Sequence, residues 1–285
     1  MTDSYGFILD CYAEFNVSFF NNGLQVQTTR VKAAFNATLF ASAGNGYNYL
    51  GFNWAVNENN TYLGVVDMKS DEDALVHMSA KVYDLVKGSN VFTPNSQAVN
   101  GIDVFGVDAI ALPPSGGVAF GFLALTTTAT NLSYTYMYMS VVTNVRNGSL
   151  PVSSDSVRSS AVSPSGRSTT SLVLALASAS PTQATLIVRY ADHQTFNATS
   201  TLNYQYYPFV NYTGGYSISL SKVAVSPTSL GDFVCSLIGA VAQLGASLPS
   251  LTVYCINASA TTTGPRQPMY DALHYSGEFL LGSCF

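Results

Sequence analysis

The stretch YGFILDCYAEFNVSF, Tyr5 to Phe19, alternates apolar and polar residues along its length. Tyr5, Phe7, Leu9, Cys11, Phe15, Val17 and Phe19 fall on one side and Asp10, Glu14, Asn16 and Ser18 on the other. That is the pattern of a long strand with one apolar and one wet face. Runs of the same character recur at Gln25 to Phe40, Tyr47 to Val56, Tyr62 to Asp67, Ile102 to Leu112, Val118 to Thr127 and Leu132 to Val145. Others follow at Ser171 to Ala177, Ala184 to Tyr190, Thr201 to Tyr207, Tyr216 to Val225 and Leu251 to Ile256. Clusters of Gly, Pro, Asn and Ser separate them, and strands do not alternate with long helical patterns. The expectation is an all-β chain of β-sandwich or jelly-roll type domains with one or two short helices.

Two segments read as helices. Ser229 to Gly245 offers Ser229 as N-cap and Asp232 three residues later, then Phe233, Leu237, Ile238, Val241 and Leu244 at helical spacing. Ser70 to Lys87 starts with an acidic turn, Asp71, Glu72 and Asp73, and continues with Leu75, Met78, Val82 and Leu85. Its even positions, Val76, Met78, Ala80, Val82 and Val86, also alternate, so a strand competes with the helix there. Ser149 to Ser168 holds nine Ser and almost no large apolar residue, which suggests a linker or surface loop. FNAT occurs at Phe35 to Thr38 and again at Phe196 to Thr199. The expected organisation is an N-terminal β-sandwich domain over 1–148, the Ser-rich linker over 149–168, and a C-terminal β domain over 169–285 containing the helix at about 229–245.

Charge is scarce: 9% of the 285 residues are Asp, Glu, Lys or Arg, against about 25% in an average soluble domain. Hydrophobic residues make up 47% and mean hydropathy is +0.21, which excludes intrinsic disorder. With net charge −5 and only eleven basic residues, spread singly, the chain lacks the basic stripe that phosphates require. Apolar runs around Phe105 to Leu125 and Phe233 to Leu248 are interrupted by Asp108, Pro113, Pro114 and Gln243, which argues against membrane insertion.

Ser, Thr, Asn and Tyr supply the polarity instead, a surface that stays hydrated whatever the pH. From 20 Asn and 59 Ser plus Thr, chance gives roughly four N-glycosylation sequons. Eight are present, at Asn16, Asn36, Asn59, Asn131, Asn147, Asn197, Asn211 and Asn257. The four cysteines contain no CxxC pair and have no nearby His. Disulfides Cys235–Cys255 and Cys11–Cys284 fit this spacing, one closing a short loop and one tying the ends; four buried thiols are the alternative. These features point to an extracellular, cell-surface or virion-surface location. The opening MTDSYGFILD has neither the basic nor the apolar region of a secretory signal, which leaves release by lysis and prior processing both open.

Chemistry is sparse. Only His77, His193 and His274 are present, and HExxH, GxSxG, Walker A and GxGxxG patterns are absent. Asp271, His274 and Glu278, and Asp192 beside His193, read as surface turns. The acidic run Asp67 to Asp73, DMKSDED, reads as a solvated helix start, with a structural calcium ion as the alternative; no other cofactor is expected. Aromatic patterning is stronger. Tyr134, Tyr136 and Tyr138 share one strand face opposite Thr135, Met137 and Met139. Tyr47, Tyr49, Phe52 and Trp54 form a second cluster, and Tyr204, Tyr206, Tyr207, Phe209, Tyr212 and Tyr216 a third. Such rings pack sheets, fill interfaces or stack on sugars. The functional expectation is a non-enzymatic, glycosylated subunit of a surface-exposed homopolymer, an extracellular filament or virion coat, partnered by copies of itself. Its N-terminal strand, with Tyr5, Phe7, Leu9, Phe15, Val17 and Phe19, is the expected assembly element. A secreted carbohydrate-binding or adhesive β-sandwich module, partnered by glycans, is the alternative.

Overall fold

The alternating runs form extended strands in the computed structural model, which describes residues 14–21, 24–32, 48–59, 61–70, 75–87, 89–99, 101, 103–113, 117–179, 184–206, 216–228, 231–242 and 250–258. In chain order the first strands are β1 (Glu14–Asn21), β2 (Leu24–Lys32), β3 (Asn48–Val56), β4 (Tyr62–Ser70), β5 (Val76–Asp84) and β6 (Ser89–Asn90). Next come β7 (Asn95–Val99), β8 (Asp103–Ala111), β9 (Phe120–Thr127), β10 (Asn131–Met139), β11 (Thr143–Ser153) and β12 (Val157–Ser165). The last are β13 (Ser168–Ala179), β14 (Ala184–Asp192), β15 (Ala198–Tyr206), β16 (Tyr216–Thr228), β17 (Gly231–Ala242) and β18 (Ser250–Ala258). The fold is all-β, with several antiparallel sheets and no helix among the described residues.

Sheet orders are β1-β2; β3-β4-β5-β6 with β7 also on β5; β11-β10-β9-β8; β12-β13-β14-β15; and β16-β17-β18. The chain divides into two compact units, Met1–Thr128 with Ser133–Ser149, and Ala129–Leu132 with Leu150–Phe285. In the first, Val66, Met68, Met78, Ala80 and Val82 of β4 and β5 pack against Phe120, Phe122, Met137 and Met139 of β9 and β10. Gly64 lets the Phe120 ring approach β4 closely, since a Cβ there would collide with the ring. In the second unit, Val173, Ala175, Val188, Leu202 and Tyr204 face Val223, Val234 and Ile256 of the three-stranded sheet. In each unit two sheets enclose one core, consistent with a β-sandwich type domain, and the first unit holds the β1-β2 pair as a further sheet. Each fully buried aliphatic side chain contributes about 1.5–3 kcal/mol.

Several expectations need correction. The helix at about 229–245 is not formed: 231–242 is β17, paired on both sides, Val225 with Val234 on β16 and Ile256 with Val234 on β18. Two flanking ladders outweigh a helical spacing that this β-compatible run also permits. Ser70 to Lys87 contains β5, because Val76, Met78, Ala80 and Val82 are buried while His77, Ser79 and Lys81 between them are half-buried. Ser149 to Ser168 is neither linker nor loop: it holds the end of β11, a turn at 154–156, β12 and the turn into β13. Its small residues Ser160, Ala161 and Ser163 sit opposite Leu176, Ala175 and Val173 of β13. Leu132 to Val145 is two strands rather than one, reversing at 140–142, where the Ser140 N–H donates to Val142 O at 2.9 Å. β7 had no counterpart among the sequence runs.

Candidate assembly and glycan-acceptor sites

β1 carries the described half of the expected assembly strand. Phe15, Val17 and Phe19 stand in register opposite Val31, Thr29 and Gln27 of β2. Tyr5, Phe7 and Leu9 lie outside the described residues. β1 and β2 make a sheet of two strands, so among the described residues neither outer edge has a ladder partner. A two-stranded ribbon is marginal by itself, and a row of open N–H and C=O groups is a template for another strand.

Among the sequons, Asn59, Asn131, Asn147 and Asn197 are exposed. Asn16 lies on β1 opposite Arg30, and Asn36 and Asn211 lie outside the described residues. Asn257 differs. It is half-buried on β18, its amide oxygen is enclosed with no hydrogen-bond partner, and a Cβ on Gly231, at φ 150°, would collide with that oxygen. Asn197 follows an anchored turn. The Asp192 carboxylate accepts from Gln194 N, Thr195 N and Thr195 Oγ1 at 3.0, 2.9 and 2.9 Å. Phe196, at φ 56°, is fully buried, with the Arg189 guanidinium 5.6 Å from its ring centroid. Burial pushes the Asp192 carboxyl up, but the Thr195 and Gln194 donors outweigh it and hold its pKa below the ordinary value. Asp192 and His193 therefore belong to a turn that presents Asn197, with His193 itself buried and its pKa lowered by that burial.

Cys235 and Cys255 are directly opposite in the β17–β18 register and form a disulfide, Cα–Cα 4.1 Å, across 20 residues of chain. It staples two adjacent strands, where the sequence had suggested a helix leading back to a strand. Closing such a loop stabilises by about 3 kcal/mol on the chain-entropy model, and the bond fits an oxidising extracellular environment. Cys11 and Cys284 lie outside the described residues. Nearby, Asp232 is fully buried; its Oδ2 accepts from Ser165 Oγ and its Oδ1 from Gly166 N, both at 2.7 Å. Tyr190 OH donates to Ala258 O at 2.8 Å, so β14 is held to β18. These contacts tie the second unit's two sheets together.

The first unit holds acids of another kind. Asp67 was expected in a solvated acidic run but lies inside β4, fully buried, with no hydrogen-bond partner on either oxygen. Burial raises its pKa, opposed by the charges of Lys69 and Lys81 and by the Ser79 hydroxyl, which lies opposite on β5 without making a hydrogen bond of good geometry. Burial also lowers Lys81 and raises Tyr83, whose hydroxyl lacks a hydrogen-bond partner. Asp108 of β8 is pushed up to about 6 by burial, with Asn53 Nδ2 donating to it at 3.3 Å. The sequence signal for both burials is an acid inside an apolar strand run, VVDMK and GVDAI. Asp71, Glu72 and Asp73 lie outside the described residues, and among those described no three His, Cys, Asp or Glu cluster as a metal site would need.

Of the aromatic faces, Tyr134, Tyr136 and Tyr138 are buried, with Tyr134 lying against Gly148 and Tyr136 against Gly121. They pack the sheet and are closed to sugars. Trp54 remains 44% exposed on β3. A cavity of about 350 Å³ opens beside the β3–β4 turn, lined by Asn57, Glu58, Asn59, Tyr62, Pro113 and Val118 among others. Asn57 Oδ1 fixes that turn by accepting from Thr61 N and Tyr62 N at 2.9 and 2.8 Å. Among the described residues no helix is long and apolar enough to cross a membrane. The chain matches no protein-family model and no curated protein.

Proposed function

We propose that the chain is a non-enzymatic structural subunit of a surface-exposed homopolymer, an extracellular filament or virion coat carrying N-linked glycans. The observation that carries this reading is the two-stranded β1–β2 sheet, whose outer edges have no partner among the described residues. A ribbon of that kind gains stability by accepting or donating a strand, and a second copy of the chain supplies one. Support comes from the low charge, from four exposed sequon asparagines, and from a disulfide that resists the outside. Electron microscopy of native material combined with intact mass tests it. Polymers are expected, with subunits heavier than the 30.3 kDa of the polypeptide; dispersed monomers of bare polypeptide mass would remove the reading. The second reading, a carbohydrate-binding module, draws on the cavity beside Asn57, Glu58 and Tyr62. Saccharide binding lost on Tyr62→Ala, by monomeric protein, would favour it.

A further inference from the structure

Sheet edges differ in how well they are defended against pairing, and one stands apart. β8 carries Asp103 and Asp108 and a register shift; β12 carries Arg158, Pro164 and two shifts. β11 has Arg146 and Pro151, and β16 has Lys222, Pro227 and a shift. β3 is irregular at Tyr49/Gly51, the β14–β15 ladder is irregular at Tyr190/Ala191, and β6 and β7 are only two and five residues long. Charges, prolines, bulges and shortness are the devices that keep an edge from templating another chain. β18, SLTVYCINA, has none of them. Its nine residues pair with β17 in unbroken register from Ala240–Ser250 to Asp232–Ala258, and the Cys235–Cys255 bond keeps that edge strand seated. Its outer edge has no ladder partner among the described residues. The window LTVYCI is β-prone and uncharged, the composition of a pairing segment.

We infer that the outer edge of β18 is the acceptor for β1 of a second copy of this chain, so that a three-stranded and a two-stranded sheet join across the subunit contact. This rests on the assembly reading above and specifies its interface. The chain itself carries both halves, an undefended edge and a two-stranded ribbon lacking a third strand. The β1–β2 ladder shifts at Phe19/Phe20, which leaves Glu14 to Phe19 as the regular part of β1; β1 has one charge, Glu14, whereas β2 has Arg30 and Lys32, which makes β1 the better donor edge. Because donor and acceptor are different strands, the contact is head-to-tail and propagates into a linear polymer, whereas β18 pairing with another β18 would close as a dimer.

Hydrogen exchange on the full chain, dissociated and assembled, is the test. Amides of 250–258 and of 14–21 are expected to gain protection on assembly together. Val253→Lys, within β18, is expected to raise the critical concentration about tenfold or more, a change of about 1.4 kcal/mol per subunit contact. Thr201→Lys, exposed on the β15 edge, is expected to leave it unchanged. Polymers whose β18 amides stay unprotected would overturn the inference and leave the assembly reading standing, as would closed dimers protected at β18 but not at β1. Absence of any polymer removes both. Should Val253→Lys fail to fold, the exchange pattern of the unsubstituted chain still decides.

Discussion

In the second unit the buried Asp232 carboxylate accepts from Ser165 Oγ and Gly166 N, each at 2.7 Å, whereas in the first unit the equally buried Asp67 has no hydrogen-bond partner on either oxygen. Both acids sit on sheet strands among apolar neighbours. What separates them is whether a turn delivers donors. The β12–β13 turn places a hydroxyl and a backbone N–H at Asp232, and Gly166 allows the approach, since a Cβ there would strike the Thr228 backbone. A carboxylate removed from water is tolerated when its lone pairs are met and costs stability when they are not. Removing Asp232 should therefore have the largest effect in the molecule. Asp232→Ala strands the buried Ser165 hydroxyl and the part-buried Gly166 N–H and is expected to cost about 3 kcal/mol, read as lost hydrogen-exchange protection in 157–206 and 216–258. A loss under about 1 kcal/mol would mean that the two bonds are incidental to the sandwich.

The same residue shows where a reading of sequence stops. Asp232 three residues after Ser229 is a fair capping pattern, and nothing local reveals that Ser165, 67 positions away, claims its carboxylate. Strand identity was legible where alternation stood without a rival, as in Leu186, Val188 and Tyr190 of β14, buried between half-buried Ile187 and Arg189, because burial of one face needs only period two; the same alternation in Val76, Met78, Ala80 and Val82 was masked by a helical spacing in the same residues. The hairpin at 140–142 was illegible because Val141 and Val142 are strand-like residues in a turn, 93% and 58% exposed. The Cys235–Cys255 pairing was legible from short spacing, although its geometry, a strand pair and not a helix-to-strand return, came only with the β17–β18 register. Exposure of Asn59, Asn131, Asn147 and Asn197 and enclosure of Asn257 depend on tertiary neighbours that a three-residue motif does not contain.

Acid titration should set the two units against each other. Burial raises Asp108 from 3.8 to about 6. Between those values the folded chain binds the proton and the unfolded chain has released it, so stability falls as pH rises, by up to about 3 kcal/mol. Burial lowers His193 instead, so its contribution is present above the unfolded pKa and is lost as pH falls through the folded one. Urea midpoints measured from about pH 4 to 7 should thus show the first unit weakening toward neutrality and the second toward acid. Asp108→Asn is expected to reduce the first trend to the part that Asp67 contributes and to leave the second. A first-unit trend unchanged in that variant would show that Asp108 does not titrate in this range.

The smallest effect, and the one that sharpens the comparison most, concerns Asp67. With no hydrogen-bond partner on either oxygen and a pKa raised by burial, its ionised form opposes folding at neutral pH. Lys69 and Lys81 favour that ionised form, and Lys81 is itself lowered by burial, so neither cation recovers the full cost. Asp67→Asn keeps the shape and removes the charge. It is expected to stabilise the first unit by about 1 kcal/mol at pH above neutrality. The gain should shrink toward acid, where Asp67 is already protonated in the folded chain and the two side chains become equivalent in charge. The sign is the decisive readout. A loss of stability in Asp67→Asn at neutral pH would mean that Lys69 and Lys81 hold the carboxylate as a paired group, and the contrast with Asp232 would then be one of partner type, cations against hydrogen-bond donors, rather than of partner presence.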